Sequence, residues 1–461
     1  MEKVTRYSGN RAIFYRPISF LMFYFIGLLI LYIWGPMEWK TQSPVILYSF
    51  LFLTHALIYV GFSINIKRMY RKGKLRENSI PKNILDHSTI VKWLSILIIV
   101  NLIINLLFLI RSLGLSSFSI DMIINNFING ITDAGAQYNS KFQNDKVFGG
   151  NMLAPLYTLL SPILWPVLPL SLIYYKKLGF TNKVLVILTI IFEVIRWISI
   201  GTNKGVIDLI LIIFSVIFLK QMQRRYEKVT RDVKRRNKRL RIIVITALLI
   251  IIGLAIFNNN ISSRVNENYY TISAITNYTP INLESPLMKL VPENIKSLMV
   301  YTTLYLTQGY YGLSLTFDEP YIPMFGIGNS YFLLVNAEQL LDMDFWKYTY
   351  QSRVEYKGWK PLLNWHSIYS WLANDFTYLG VLVLMYFIGK YFAIVYYKSL
   401  VYKDPITSVL FCLLVISFFY FPANNQIMST PAMFMAFLGL NGIWIYKNVT
   451  KRRKNVYPHY N

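Results

Sequence analysis

Only one cysteine occurs in 461 residues, and Cys412 lies inside an apolar run. Neither an intramolecular disulfide nor a cysteine-based metal site can form, and the redox compartment stays open. Histidine is almost as scarce, with four copies. Charge is sparse as well: Asp, Glu, Lys and Arg make up 15%, where a soluble globular chain carries about 25%. No H-E-x-x-H, P-loop or G-x-S-x-G occurs, so zinc hydrolysis and ATP-driven transport lack support. Nothing repeats at a fixed period, no heptad pattern runs through the chain, and the inverted repeats of many transporters are not evident.

What fills the chain instead is apolar. Hydrophobic residues reach 54% and mean hydropathy is +0.39. Length alone suggests about three soluble domains of roughly 150 residues, but this composition describes an integral membrane protein. The 47 Lys and Arg outnumber the 22 Asp and Glu, for a net charge of +25. Basic residues packed between long apolar runs mark cytoplasmic loops. No basic, aromatic-interleaved soluble domain is left over, which excludes nucleic acid as a partner.

Ten stretches are long and apolar enough for a hydrocarbon core of about 30 Å. They lie near 17–34, 44–65, 91–113, 152–174, 184–200, 205–219, 241–257, 371–396, 405–421 and 430–446. The expected fold is therefore all-α, a polytopic helix bundle embedded in the lipid bilayer. The first run lacks a small-residue cleavage site and reads as a retained span ending at Trp34-Gly35-Pro36. With the N-terminus in the cytoplasm, the inside segments collect Arg11, Arg16, the cluster from Lys67 to Lys92, Lys176, Lys177, the run from Lys220 to Arg241, and Lys451 to Lys454. The positive-inside rule then places both termini in the cytoplasm.

Three regions follow: a bundle over 1–257 with an outer loop near 114–151, a large extracytoplasmic loop over 258–365, and a bundle over 366–461 with a basic tail. Loops of such length are usually functional or independently folded. Within the second, residues 296–317 are apolar but interrupted, as in a re-entrant or interfacial helix. The loop is expected to cap a cavity.

Ionisable groups inside spans are costly and are functional candidates. Glu193 and Arg196, three residues apart, share a helical face and can pair; the alternative is a structural ion pair. Lys204 and Asp208 share a face at the start of the sixth span. Gly201 and Gly205 allow a tight turn that leaves Lys204 at the outer surface beside a helix N-terminus, a ready anion site. The plainer reading is a solvated turn lysine with Asp208 as partner. His55, alone in the second span, reads as a packing residue. His366 stands at the outer entrance of the eighth span, where an imidazole at an aqueous mouth titrates near neutral pH and can act as base or hydrogen-bonding group. On a helix Ser370 and Thr377 fall within roughly 40° of it, and Asp375 on the opposite side. Arg264 and Arg353, in the large loop, are suited to clamp an anion. The loop's aromatics suit sugar faces or an interfacial belt. Asp342-Met343-Asp344 has D-x-D spacing, a weak sign on three residues. No metal and no cofactor is expected.

The stretch Arg196-Trp197-Ile198-Ser199-Ile200-Gly201-Thr202-Asn203-Lys204-Gly205 at an outward hairpin, followed by a large outer loop and a helix opening from His366-Ser367 to Gly380, resembles the Wzy-type O-antigen polymerases. The same opening is similar to the His-Asn-x-x-Leu...Glu-x-Gly-x-x-Gly signature of O-antigen ligases, with Asp375 at the acidic position and Thr377 in place of the inner glycine. The arginine, ten residues, glycine pattern of some polymerases follows neither Arg264 nor Arg353. The resemblance implies a metal-independent glycosyltransferase of the bacterial cytoplasmic (inner) membrane with its site facing the periplasm or exterior. It would polymerise undecaprenyl-pyrophosphate-linked repeat units, as donor and acceptor, into O-antigen or capsule. His366 takes the catalytic place. Lys204, Arg196, Arg264 and Arg353 hold the pyrophosphate; Glu193, Asp208, Ser370, Asn374 and Asp375 support them. A chain-length regulator and a flippase are the implied protein partners. A lipid-linked oligosaccharide flippase and an O-antigen ligase remain alternatives.

Overall fold

The computed structural model describes residues 11–75, 87–115, 117–147, 152–227, 251, 253–262, 279–361 and 363–456. Its principal helices are α1 (Ala12–Trp34), α2 (Pro44–Leu75), α3 (His87–Ser112), α4 (Ile120–Thr132), α5 (Ala134–Val147), α6 (Leu153–Leu164), α7 (Val167–Tyr174), α8 (Phe180–Ser199), α9 (Lys204–Tyr226), α10 (Lys296–Ser314), α11 (Tyr331–Leu341), α12 (Ile368–Val401), α13 (Pro405–Tyr420) and α14 (Pro431–Val456). Residues 253–262 are also helical. Among the described residues no strand forms, and a single bridge joins Met37 to Ile281. Helix closes every backbone hydrogen bond within one segment, which is what lipid demands.

Six segments are long and apolar enough to cross a bilayer: Ala12–Trp34, Pro44–Arg71, Ser88–Ser112, Leu153–Lys177, Lys204–Tyr226 and Ile368–Val401, with Pro405–Tyr420 shorter but apolar. The chain is a multi-pass membrane protein of the all-α class. Two further helices are diluted by polar residues, α8 by Lys183, Glu193 and Arg196, and α14 by Asn441, Lys447 and Asn448. The stretch expected over 241–257 falls largely outside the described residues, as do most of the 220–241 basic run and Arg264.

Contacts sort the helix ends into two groups. At one end Tyr396 donates to the Ile13 carbonyl (2.8 Å), Gln223 to that of Ser399 (2.8 Å) and Lys220 to that of Leu172 (2.6 Å). At the other, Leu287 N–H reaches the Trp34 carbonyl (3.3 Å) and Ile368 N–H that of Phe421 (2.9 Å). Arg11, Arg16, Lys67, Lys176, Lys177, Lys220, Arg224, Lys398 and Lys403 gather at the first end. At the second, the carboxylates Glu193, Asp208, Glu284, Glu293 and Glu319 pair with Arg196, Lys204, Lys289, Lys296, Arg353 and Lys357.

The tightest pairing is α2 with α12. A Cβ on Gly61 would stand 2.1 Å from the Tyr386 carbonyl oxygen, and one on Gly389 2.1 Å from that of Ile58. Small residues let membrane helices approach backbone to backbone. The main core grows from this contact, with Phe62, Phe392, Tyr396 and Phe411 buried in it.

α12 is not one continuous helix. Thr377 has φ 61° and ψ 167°, a region that β-branched residues rarely occupy. Its hydroxyl receives the Gly380 N–H (3.2 Å) and so caps the second half. The bend is braced from outside, since Asp375 accepts the N–H groups of Gly326 (2.8 Å), Gly328 (3.2 Å) and Asn329 (2.8 Å). The uninterrupted helical phase expected from His366 through Thr377 therefore fails at both ends: His366 precedes the helix, and Thr377 breaks it.

Gly389→Leu should force α2 and α12 apart and destabilise the protein by about 1–3 kcal/mol, read as a lower thermal midpoint in detergent. Gly27→Ala, where an added Cβ meets nothing within 4 Å, should leave the midpoint unchanged or raise it.

Candidate functional site

The α8–α9 hairpin turns at Gly201, whose φ of +61° favours glycine and where a Cβ would strike the Ala134 carbonyl at 2.2 Å. The turn brings Arg196 and Lys204 to one indole. The Arg196 guanidinium lies 4.7 Å and the Lys204 ammonium 6.0 Å from the Trp197 ring centroid. Trp197 Nε1 donates to Glu193 Oε2 (2.9 Å), which also pairs with Arg196 (2.7 Å). Lys204 pairs more loosely with Asp208 Oδ2, at 3.4 Å. Both sequence-predicted ion pairs thus form, and each cation carries its own carboxylate. The cluster is electrically balanced, so its value for an anion lies in donors already oriented rather than in surplus charge.

His366 lies elsewhere in the chain but at the same end of the bundle. It is 2% exposed, and neither ring nitrogen has a hydrogen-bond partner. The expected aqueous mouth is corrected by this burial: Trp359 and residues 364–367 fold inward, with Trp359 Nε1 on the Trp365 carbonyl (3.1 Å) and Trp365 N–H on Gln308 Oε1 (3.2 Å). Desolvation disfavours the charged ring and pushes its pKa down to about 3. Neutral imidazole keeps one donor and one acceptor, so His366 orients a hydroxyl better than it stores a proton.

Two chains of contact connect the hairpin with the segment around His366. In the first, Tyr420 lies beside Asp208 without a hydrogen bond of ordinary geometry, leaving Asp208 Oδ1 and the Tyr420 hydroxyl both unpartnered. The chain continues past Tyr420 to the hydrogen bond between Ile368 N–H and the Phe421 carbonyl. In the second, Asn260 donates to Asn203 Oδ1 (2.6 Å), and one turn back along that helix Phe257 stacks edge-on against Tyr305 (5.2 Å), which meets Trp365 (5.0 Å). The two routes end on neighbours of Lys204, at Asp208 and Asn203, and on neighbours of His366, at Ile368 and Trp365. Further buried polar atoms without partners occur in Ser367, Tyr310 and Asn424. Each such group costs about 1–3 kcal/mol when left unpaired, and clusters of them in a native fold call for an external partner.

The remaining candidates separate. Arg353 faces Glu319 (3.8 Å), which Lys357 also engages (3.3 Å), and it stacks on Tyr350. Among the described residues its partners are Glu319, Tyr348 and Tyr350, all outside the hairpin. Asn374 holds the Tyr350 N–H (2.9 Å), the Gly328 carbonyl (2.8 Å) and Gln351 (2.9 Å). Asp375 is saturated by the 326–329 loop, and Ser370 donates to the Ser367 carbonyl (3.0 Å). These three shape the backbone around His366. Asp344 of the D-x-D triplet receives the Lys347 N–H (3.3 Å) and ends a turn. Among the described residues no group of His, Cys, Asp and Glu is arranged to hold a metal ion. Sequence reasoning did not single out Tyr420, which lies in an apolar run without a distinguishing spacing; it met Trp197 only inside the Arg196–Gly205 stretch and Tyr310 only among the loop's aromatics.

Since the folded protein holds His366 below its ordinary value near 6.5, the unfolded chain binds a proton that the folded one refuses as pH falls from 6.5 toward 3. The stability associated with the neutral ring is complete above that window and declines within it, by about 1.4 kcal/mol per pH unit. Unfolding of the wild type and His366→Gln, followed at pH 7 and pH 4.5, should show a shallower pH slope in the variant; equal slopes would rule out a buried neutral ring. No family model, no curated protein and no solved structure matches the chain.

Proposed function

We propose that the chain is a ten-span glycosyltransferase of the bacterial cytoplasmic membrane that polymerises lipid-pyrophosphate-linked oligosaccharide repeat units on the outer face. The observation that carries this reading is that the Arg196–Lys204 hairpin and the buried, unpartnered His366 lie at the same end of the bundle, with their segments linked through Tyr420 and through Tyr305. Orientation is supported by the charge sorting: basic residues gather at the opposite end, as the positive-inside rule requires of a cytoplasmic face.

The reaction needs three things. A sugar hydroxyl of the acceptor attacks the anomeric carbon of the donor, the bond from that carbon to the pyrophosphate oxygen breaks with its electron pair leaving on the diphosphate, and the hydroxyl proton passes to water at the outer surface. Negative charge develops on the leaving diphosphate, and donors fixed in place beforehand stabilise it. Lys204, loosely held by Asp208, exchanges that carboxylate for a phosphate oxygen; Arg196, locked to Glu193 and Trp197, sets the shape of the hairpin. His366, as neutral imidazole, accepts a hydrogen bond from the incoming hydroxyl and fixes its approach. A lipid-linked donor arrives through the bilayer, so the chain needs no nucleotide site.

Lys204→Ala and His366→Ala should each lower polymerisation on the order of 10²- to 10³-fold. Produced in a strain deleted for the native copy, each should collapse the surface glycan from a ladder to a single capped repeat on a gel. Loss of every capped unit points instead to transport, and long polymer stranded on the carrier lipid to a ligase; either outcome overturns the polymerase reading.

A further inference from the structure

On the other side of α10 from His366, the loop after α1 folds against residues 279–287. Glu38 N–H bonds the Pro280 carbonyl (3.0 Å) and Asn282 N–H that of Pro36 (2.7 Å). These contacts frame a recess of about 280 Å³ whose walls include Tyr32, Trp39, Tyr48, Glu38, Glu284 and Ser285. α10 is the partition. Its Thr307 hydroxyl accepts from Trp39 Nε1 (3.2 Å) and its Tyr310 ring meets Tyr32 (6.0 Å), while Gly309 and Gly312 face Ser367 and Trp365.

We propose that this recess is a sugar subsite that takes a neutral or amino-bearing pyranose and excludes anionic sugars. Three observations support it. Two carboxylates and no cation line the walls, so a uronate or phosphate meets repulsion while hydroxyls and ammonium groups meet acceptors. Lys289, 3.9 Å from Glu284, lies outside the walls. Hydroxyl groups are ready to serve as partners: the Tyr32 and Thr41 hydroxyls bond each other at 2.7 Å, and the Ser285 hydroxyl is buried without any partner. Tyr48, 36% exposed and edge-on to Tyr32 at 6.4 Å, offers an aromatic surface of the kind on which sugar C–H faces rest. The volume lies just below the range of about 300–1,000 Å³ typical of drug-sized ligands, so the recess takes a single ring and leaves the rest of a glycan outside. Its chemistry is opposite to that of the cation-bearing hairpin. If the polymerase reading holds, the recess receives the acceptor glycan and the hairpin the donor's diphosphate; that assignment rests on the reading, whereas sugar binding does not.

The test is saturation-transfer NMR on the purified full chain in detergent, with millimolar N-acetylglucosamine, glucosamine, galactose and glucuronic acid as separate probes. Saturation should reach at least one of the first three above an empty-micelle control and should not reach glucuronic acid. Tyr48→Ala and Glu284→Gln, both at exposed positions, should each weaken binding about tenfold, and Lys204→Ala should leave it intact. No transfer to any neutral or amino sugar, transfer unaffected by both wall substitutions, or equal transfer to glucuronic acid overturns the proposal. Sugar binding together with a full glycan ladder in the deletion strain carrying no copy leaves the subsite standing and removes the polymerase; a ladder that collapses on deletion and returns with the wild type, with no sugar binding, does the reverse.

Discussion

Two glycines of α10 set the geometry on which the outer end of the molecule depends. A Cβ on Gly309 would stand 1.9 Å from the Pro422 carbonyl oxygen and 3.0 Å from the Ser367 nitrogen; one on Gly312 would stand 2.5 Å from Trp359 Nε1 and 2.9 Å from the Trp365 carbonyl oxygen. α10 therefore lies backbone to backbone against both segments that flank His366. With any larger residue at these positions, the end of α13, the start of α12 and the 359–367 segment lose their common support. This contact also helps to bury the imidazole.

Burial and charge balance together define what the outer end can do. An isolated cation near lipid is costly, and the chain answers by giving Arg196 and Lys204 a carboxylate each and by letting Arg353 and Lys357 share Glu319. The arrangement stabilises the empty protein. It also means that any anion must compete with a resident carboxylate, and Lys204, 3.4 Å from its partner and more exposed than Arg196, is the group most easily exchanged. Specificity of this kind arises from differences between competing partners and not from net charge.

Much of the architecture was legible before any coordinates. Hydropathy located α1, α3, α12 and α13 to within about five residues at each end and the starts of α2 and α9 to within one, while those two helices run on well past their apolar stretches, because apolar runs of that length have one stable form in lipid. Spacing located the two ion pairs of the hairpin, since groups three and four apart on a helix are neighbours by geometry. The same logic misled at His366. Helical phase was carried through a position that precedes the helix and past Thr377, where the backbone leaves helical geometry to accommodate the 326–329 loop bound to Asp375. Asn374 and Asp375 looked like polar groups available for chemistry, but a loop some fifty positions earlier takes up their hydrogen-bonding capacity.

Local pattern alone determined that the chain is helical, that it is membrane-embedded, and that Arg196 with Glu193 and Lys204 with Asp208 each pair across one turn, because each depends on interactions between near neighbours or on transfer to lipid. Tertiary structure alone decided that His366 is buried and unpartnered, that Tyr420 comes to Asp208, that Arg353 turns to Glu319, and that residues 32–48 and 279–287 enclose a recess. Those outcomes depend on contacts between segments far apart in the chain, which closely packed glycines permit and which no window of sequence contains.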